Sequence, residues 1–224
     1  MALATYQALC IDATDASRLG AFWASALRLD QTLREDGVVA LTGRHAMWVD
    51  PVPEPRTVKQ RMHMDVNTGS VEELVALGAT VLDGDSFPWT LMADPEGGEF
   101  CAFVREGDIT EPLYEVVVDT ADVPGHPQRI ATWWADVLGA QVMDEEDGAA
   151  AVEAIPGAPF ECVVFVRVPE PKTTKNRLHI DVTTPDLGLL VDAGAVVLRP
   201  QGDDIGWTVL ADPDGNEFCA FVEA

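Results

Sequence analysis

Two stretches of the chain, RMHMDV from Arg61 and RLHIDV from Arg177, set a histidine two residues ahead of an aspartate. In an extended strand this spacing puts His63 and Asp65 on one face and Met64 and Val66 on the other, and likewise His179 and Asp181 against Ile180 and Val182. The apolar pair can pack on helices while the polar pair faces a cavity. A further carboxylate stands in EVVVD from Glu115, a segment otherwise rich in valine. There it is either cavity-facing or costly to bury, and burial without a partner raises its pKa. Glu115 is therefore the leading candidate for a general acid or base, with His179 as a ligand or second base. A structural use of the histidines stays open, because a buried imidazole can simply hydrogen-bond the neighbouring aspartate or a backbone carbonyl.

Cys101 and Cys219 sit in near-copies of one another: WTLMADPEGGEFCAFV from Trp89 and WTVLADPDGNEFCAFV from Trp207 agree at 12 of 16 positions. Nothing beside either cysteine signals a lowered thiol pKa, so both are expected as ligand contacts rather than nucleophiles. Trp89 and Trp207 either wall a cavity, stacking on flat ligands, or only pack. The Asp-Pro and Gly pairs between them form tight turns. Arg61 and Arg177, two residues before the histidines, either pair with Asp65 and Asp181 or receive an anionic ligand. The four cysteines, Cys10, Cys101, Cys162 and Cys219, show no disulfide framework, and reduced, buried thiols are expected.

A second pair of blocks, PEPRTVKQRMHMDV and PEPKTTKNRLHIDV, recurs in the same order, so the chain is a duplicated unit. The expected division is residues 1–109 and 110–224, joined by REGDITEPL, each half long enough to close its own core. Each half opens on a strand and continues into a helix. Leu19, Phe22, Trp23, Ala26 and Leu27 stripe the first such helix; Ile130, Trp133, Trp134, Val137 and Leu138 stripe the second. Short β segments, a Pro-Glu-Pro connection, a second strand and helix, and a closing hairpin follow. Each half thus reads as two β-α-β-β-β modules in an α+β fold.

With 14 Lys and Arg against 38 Asp and Glu, the net charge of −24 repels phosphate backbones and anionic bilayers. Neither nucleic acid nor membrane is an expected partner; a small-molecule ligand is. No apolar run approaches the roughly 20 residues of a membrane span, and no signal segment follows Met1, which sets the expected location as cytoplasmic. A P-loop, a dinucleotide fingerprint, a nucleophile elbow and HExxH are all absent.

The repeated β-α-β-β-β module, the FW or WW pair in its helix, PEPKTTKNRLHID and DPDGNEFC together resemble the glyoxalase-like, bleomycin-resistance and dioxygenase proteins of the vicinal-oxygen-chelate superfamily. The resemblance implies two tandem domains, each a cupped sheet with helices outside and a ligand in the cup. Metal-dependent members place ligands on the first strand of each module and a glutamate on the last. Those positions carry Ala8, His63 and Cys101 in the first half, and Glu115, His179 and Cys219 in the second. The first set lacks ligands; the second could meet around a divalent metal, although a thiolate is unusual there, so no cofactor is expected. The implied function is a metal-free cup that sequesters or senses a hydrophobic or aromatic ligand, touched by His63, Asp65, Trp89, Cys101, Asp181, Trp207 and Cys219. The alternative is a lyase, isomerase or dioxygenase-like enzyme with Glu115 and His179 at work in the second half. Fused halves would form a monomer with pseudo-twofold domains, or a homodimer.

Overall fold

The computed structural model describes residues 2–223, and of Glu146 the backbone alone. Its first sheet combines β1 (Thr5–Ala13), β2 (Asp30–Leu33), β3 (Val39–Thr42) and β4 (Met47–Pro51) with β13 (Leu178–Thr184), β14 (Val196–Arg199), β15 (Thr208–Ala211) and β16 (Glu217–Val222), in the order β14-β15-β16-β13-β1-β4-β3-β2. The second combines β5 (Met62–Thr68), β6 (Thr80–Asp83), β7 (Thr90–Ala93) and β8 (Glu99–Val104) with β9 (Leu113–Ala121), β10 (Gln141–Asp144), β11 (Ala150–Glu153) and β12 (Cys162–Val168), in the order β10-β11-β12-β9-β5-β8-β7-β6. This is the α+β architecture of two eight-stranded cups built from four modules.

One expectation is corrected. Neither half closes its own sheet: the first module pairs with the fourth and the second with the third. The seams are antiparallel, β1 on β13 with Cys10 opposite His179, and β5 on β9 with His63 opposite Val117. The REGDITEPL segment therefore stays within one sheet, joining β8 to β9 on either side of β5. The two Pro-Glu-Pro connections carry the chain between sheets. Each crossing is strapped to the other, because the Arg61 guanidinium donates to the Glu170 carbonyl and that of Arg177 to the Glu54 carbonyl.

The helices hold the convex faces together. In α1 (Ala16–Leu27) the Asp15 side chain accepts from the Arg18 N–H at the N-terminus, and Leu19, Phe22, Trp23 and Leu27 are buried. In α3 (His126–Leu138) proline occupies the first turn, Gly139 ends the helix at φ 67°, and Ile130, Trp134, Val137 and Leu138 are buried. Trp23 meets Phe100 of β8 edge-on at 5.3 Å, and Trp134 meets Phe218 of β16 at 5.3 Å, so each helix reaches from its own sheet to the other. The result is one continuous core. The shorter helices α2 (Val71–Leu77) and α4 (Leu187–Asp192) each bury one leucine, Leu74 and Leu190. Among the described residues no helix is long and apolar enough to cross a membrane.

Candidate functional site

Strand parity places the polar residues where alternation predicts. Met64, Val66, Ile180 and Val182 join the core, while His63, Asp65, His179 and Asp181 take the opposite, concave faces. Because modules pair across the halves, the polar residues sort into two cups in a way the repeat does not foretell. The first cup holds His179, Asp181, Cys219 and Trp207; the second holds His63, Asp65, Cys101 and Glu115. The expected meeting of Glu115 with His179 and Cys219 is thereby corrected: Glu115 lies on β9 of the second sheet, and the other two lie on β13 and β16 of the first.

The first cup encloses a cavity of about 880 Å³. Trp48, Trp207 and Phe221 supply much of its apolar wall, and Trp207 tilts against Phe221 at 5.6 Å. Its floor is polar and buried. His179 Nε2 stands 3.4 Å from Asp181 Oδ1 and 3.4 Å from Cys219 Sγ. Register explains the cluster, since β13 lies between β1 and β16 with Asp181 opposite both Ala8 and Cys219. Beside it the Cys10 thiol donates to Asp50 Oδ2 at 3.3 Å. Burial opposes charge on His179, but the Cys10 sulfur, Asp181 and Cys219 around the ring outweigh it and raise the imidazole well above its ordinary value. Burial also pushes the Cys10 thiol up to about 12 and raises the Asp50 carboxyl. The floor is thus a buried imidazole set between an aspartate and a thiol, able to offer a hydrogen bond into an apolar cup.

The second cup repeats the triad: His63 Nε2 is 3.3 Å from Asp65 Oδ1 and 3.7 Å from Cys101 Sγ. It adds Glu115, opposite Asp65 at a bulge in the β5–β9 ladder, where an irregular register can re-aim a side chain. Burial, then the Asp65 charge, raise Glu115 to about 7, and the Cys162 thiol donating to Oε2 at 3.4 Å only partly offsets them. Burial followed by Asp65 also raises the Cys101 thiol, keeping it protonated. Trp89 stacks on Phe87 at 5.3 Å and tilts on Phe103 at 5.5 Å, so part of its ring is already covered.

Both triads could hold a metal, because in each the imidazole nitrogen, carboxylate oxygen and thiol sulfur all lie within 4.8 Å of one another. A four-coordinate zinc ion with bonds of about 2.0–2.3 Å keeps its donors roughly 3.5 Å apart, which the distances around His179 match. Asp181 Oδ1 and Asp65 Oδ1 are buried without a hydrogen-bond partner, as a coordinating oxygen awaiting an ion would be. The donor set is tighter in the first cup, where the imidazole nitrogen stands 3.4 Å from the thiol sulfur against 3.7 Å in the second.

Sequence reasoning missed Cys10, Asp50, Trp48 and Cys162. A signal was present for three of them: Cys10 shares strand parity with Asp12, and Trp48 with Asp50. Arg61 and Arg177 pair with neither Asp65 nor Asp181; they donate to main-chain carbonyls instead. All four cysteines are buried and unbridged.

Both halves match the model of a glyoxalase-like domain, over residues 8–103 and 115–221. Among solved structures the chain is similar to glyoxalase I from Zea mays, with 14% identity and a TM-score of 0.68 over 98% of this chain and 92% of that one. It is also similar to the cppA protein of Streptococcus pneumoniae TIGR4, with 10% identity and a TM-score of 0.51 over 98% of this chain and 100% of that one. Likeness at these identities speaks to fold alone. No curated protein sequence matches the chain.

Proposed function

The chain belongs to the glyoxalase-like domain family, and from that premise we propose that its first cup binds a small, largely apolar ligand, aromatic in part, carrying one polar group. The protein then sequesters or senses that ligand. The observation that carries this reading is the cavity of about 880 Å³ with tryptophan walls and a buried polar floor. Its size falls within the range of roughly 300–1,000 Å³ typical of small-molecule sites, and convergent polar groups at one end are what fix a ligand's orientation. The ligand's rings lie against Trp48 and Trp207, and its polar group meets the His179–Asp181 pair. Trp48 and Trp207 are their own reporters. Titrating a panel of aromatic acids, amines and phenols should quench tryptophan fluorescence saturably for at least one compound. Trp207→Ala should weaken that binding by roughly tenfold or more, the worth of a stacking wall. Silence across a broad panel would overturn the reading.

One observation favours a second reading, metal-assisted catalysis of the lyase, isomerase or dioxygenase-like kind: the unpartnered Asp181 Oδ1 beside His179 and Cys219. Those three residues would hold a borderline-soft divalent ion such as zinc, which when bound supplies a Lewis acid. His179 has to release its proton first, so metal uptake should weaken as the pH falls. Because Glu115 and His179 lie in different cups, such an enzyme works with one or the other, not with both. Zinc titration followed by metal analysis separates the readings: below about 0.1 equivalent bound, with no thermal shift, the second reading fails by linkage.

A further inference from the structure

The two crossings between sheets enclose a groove of about 420 Å³ that is distinct from the floor of either cup. Arg56, Lys59 and Arg61 of the first crossing and Lys175 and Arg177 of the second line it, against two carboxylates, Asp12 and Glu54. In a chain with 14 basic residues and a net charge of −24, five cations in one groove run against the charge of the molecule. The lysines are matched, since Lys59 stands 3.3 Å from Asp119 and Lys175 pairs with Asp12. The arginines are less closely matched, although Asp94, Glu99 and Glu96 stand near enough to Arg56 to favour its charge. Among the described residues none of the three forms an ion pair with a carboxylate. Arg61 and Arg177 donate to main-chain carbonyls, yet Arg61 Nε and Arg177 Nη1 stay buried without an acceptor. A buried donor on a permanently charged group is costly when unmatched, and here the deficit falls on equivalent residues of both halves.

We propose that this groove binds a small polyanion, a phosphoester or a polycarboxylate, held by Arg56, Arg61 and Arg177 where the two crossings meet. A guanidinium fork suits the planar or tetrahedral oxygens of either group. The acidic surface farther away is screened beyond about 8 Å at physiological ionic strength, so the balance between the five cations and the carboxylates beside them decides the binding. Asp12 and Lys175 also line the first cup, which makes the occupant a neighbour of the cup's ligand without sharing its floor. The site does not depend on what the cup holds.

Calorimetric titration of the intact protein with pyrophosphate and, separately, with citrate tests this, using sodium chloride of equal ionic strength as the blank. Saturable one-to-one binding of either anion is the expected result, and the tighter of the two identifies the head group. Arg56→Gln is the cleanest variant, because Arg56 makes no hydrogen bond that holds the crossings together. It should weaken binding about tenfold, the usual share of one charge-assisted contact. Arg177→Gln should do so as well, provided circular dichroism shows it folded. Trp207→Ala, which disturbs only the cup, should leave anion affinity unchanged. No saturable heat with either anion, an unchanged affinity in Arg56→Gln, or a loss in Trp207→Ala equal to that in Arg56→Gln would each overturn the proposal.

Discussion

Glu115 shows how far a single residue could be understood before its neighbours were known. Its place in a valine-rich strand already implied a raised pKa, and burial beside Asp65 does lift it to about 7. What strand alternation could not supply was the partner, because Asp65 comes from the preceding module and reaches Glu115 only across the β5–β9 seam. The consequence for stability has a definite sign. From the ordinary value of 4.5 to about 7 the folded chain binds more protons at Glu115 than the unfolded chain does, so stability falls as the pH rises through that window. Glu115→Gln, neutral at every pH, removes that loss. The variant should melt about 2–4 °C above the parent at pH 8 and level with it at pH 4, by scanning calorimetry. His179 has the same slope at higher pH: its raised pKa contributes stability that is full below the ordinary histidine range and is lost as the pH rises through the folded value. The His-x-Asp spacing was readable as a polar strand face. The thiol facing each imidazole was not readable as its partner, because it lies 38 residues from His63 and 40 from His179 along the chain.

The elements followed local rules closely enough to be read in advance. Helical stripes, proline in the first turn and glycine at the exit mark α3, and Asp-Pro and Gly mark the closing hairpins. Packing gives some of those turn residues a second task. Asp212 is buried in the hairpin between β15 and β16, where Oδ1 accepts from the backbone N–H groups of Asp214 and Asn216, and Oδ2 from the Trp134 indole. A turn that seemed only to reverse the chain therefore also fastens α3 to the first sheet. Asp212→Ala leaves those donors buried without an acceptor and should cost about 2–4 kcal/mol in urea unfolding. Asp94, its equivalent, accepts from the Glu96 and Gly98 N–H groups but from no indole. Asp94→Ala should therefore cost less, and equal losses would show that the Trp134 bond contributes little.

At the scale of the whole molecule the pairing of modules is decisive. Residues 1–109 contain one module from each sheet, so that fragment has no complete cup and leaves β1 and β5 each without its partner across the seam. It should appear as a dimer that rebuilds the exchange, or as aggregate, in size-exclusion chromatography with light scattering; a compact folded monomer would contradict the topology. The sequence by itself determined the four modules, the apolar stripes, the polar strand faces and the family, because each is written in local periodicity or in direct repetition. Only the tertiary structure decided which module lies against which, and with that which polar residues share a cup. The reason is physical. Equivalent modules present nearly equivalent seam strands, so nothing in the spacing of residues along the chain favours pairing within a half over pairing across halves. The choice falls to the two short crossings, the arginine straps between them and the tryptophans that bind each helix to the opposite sheet.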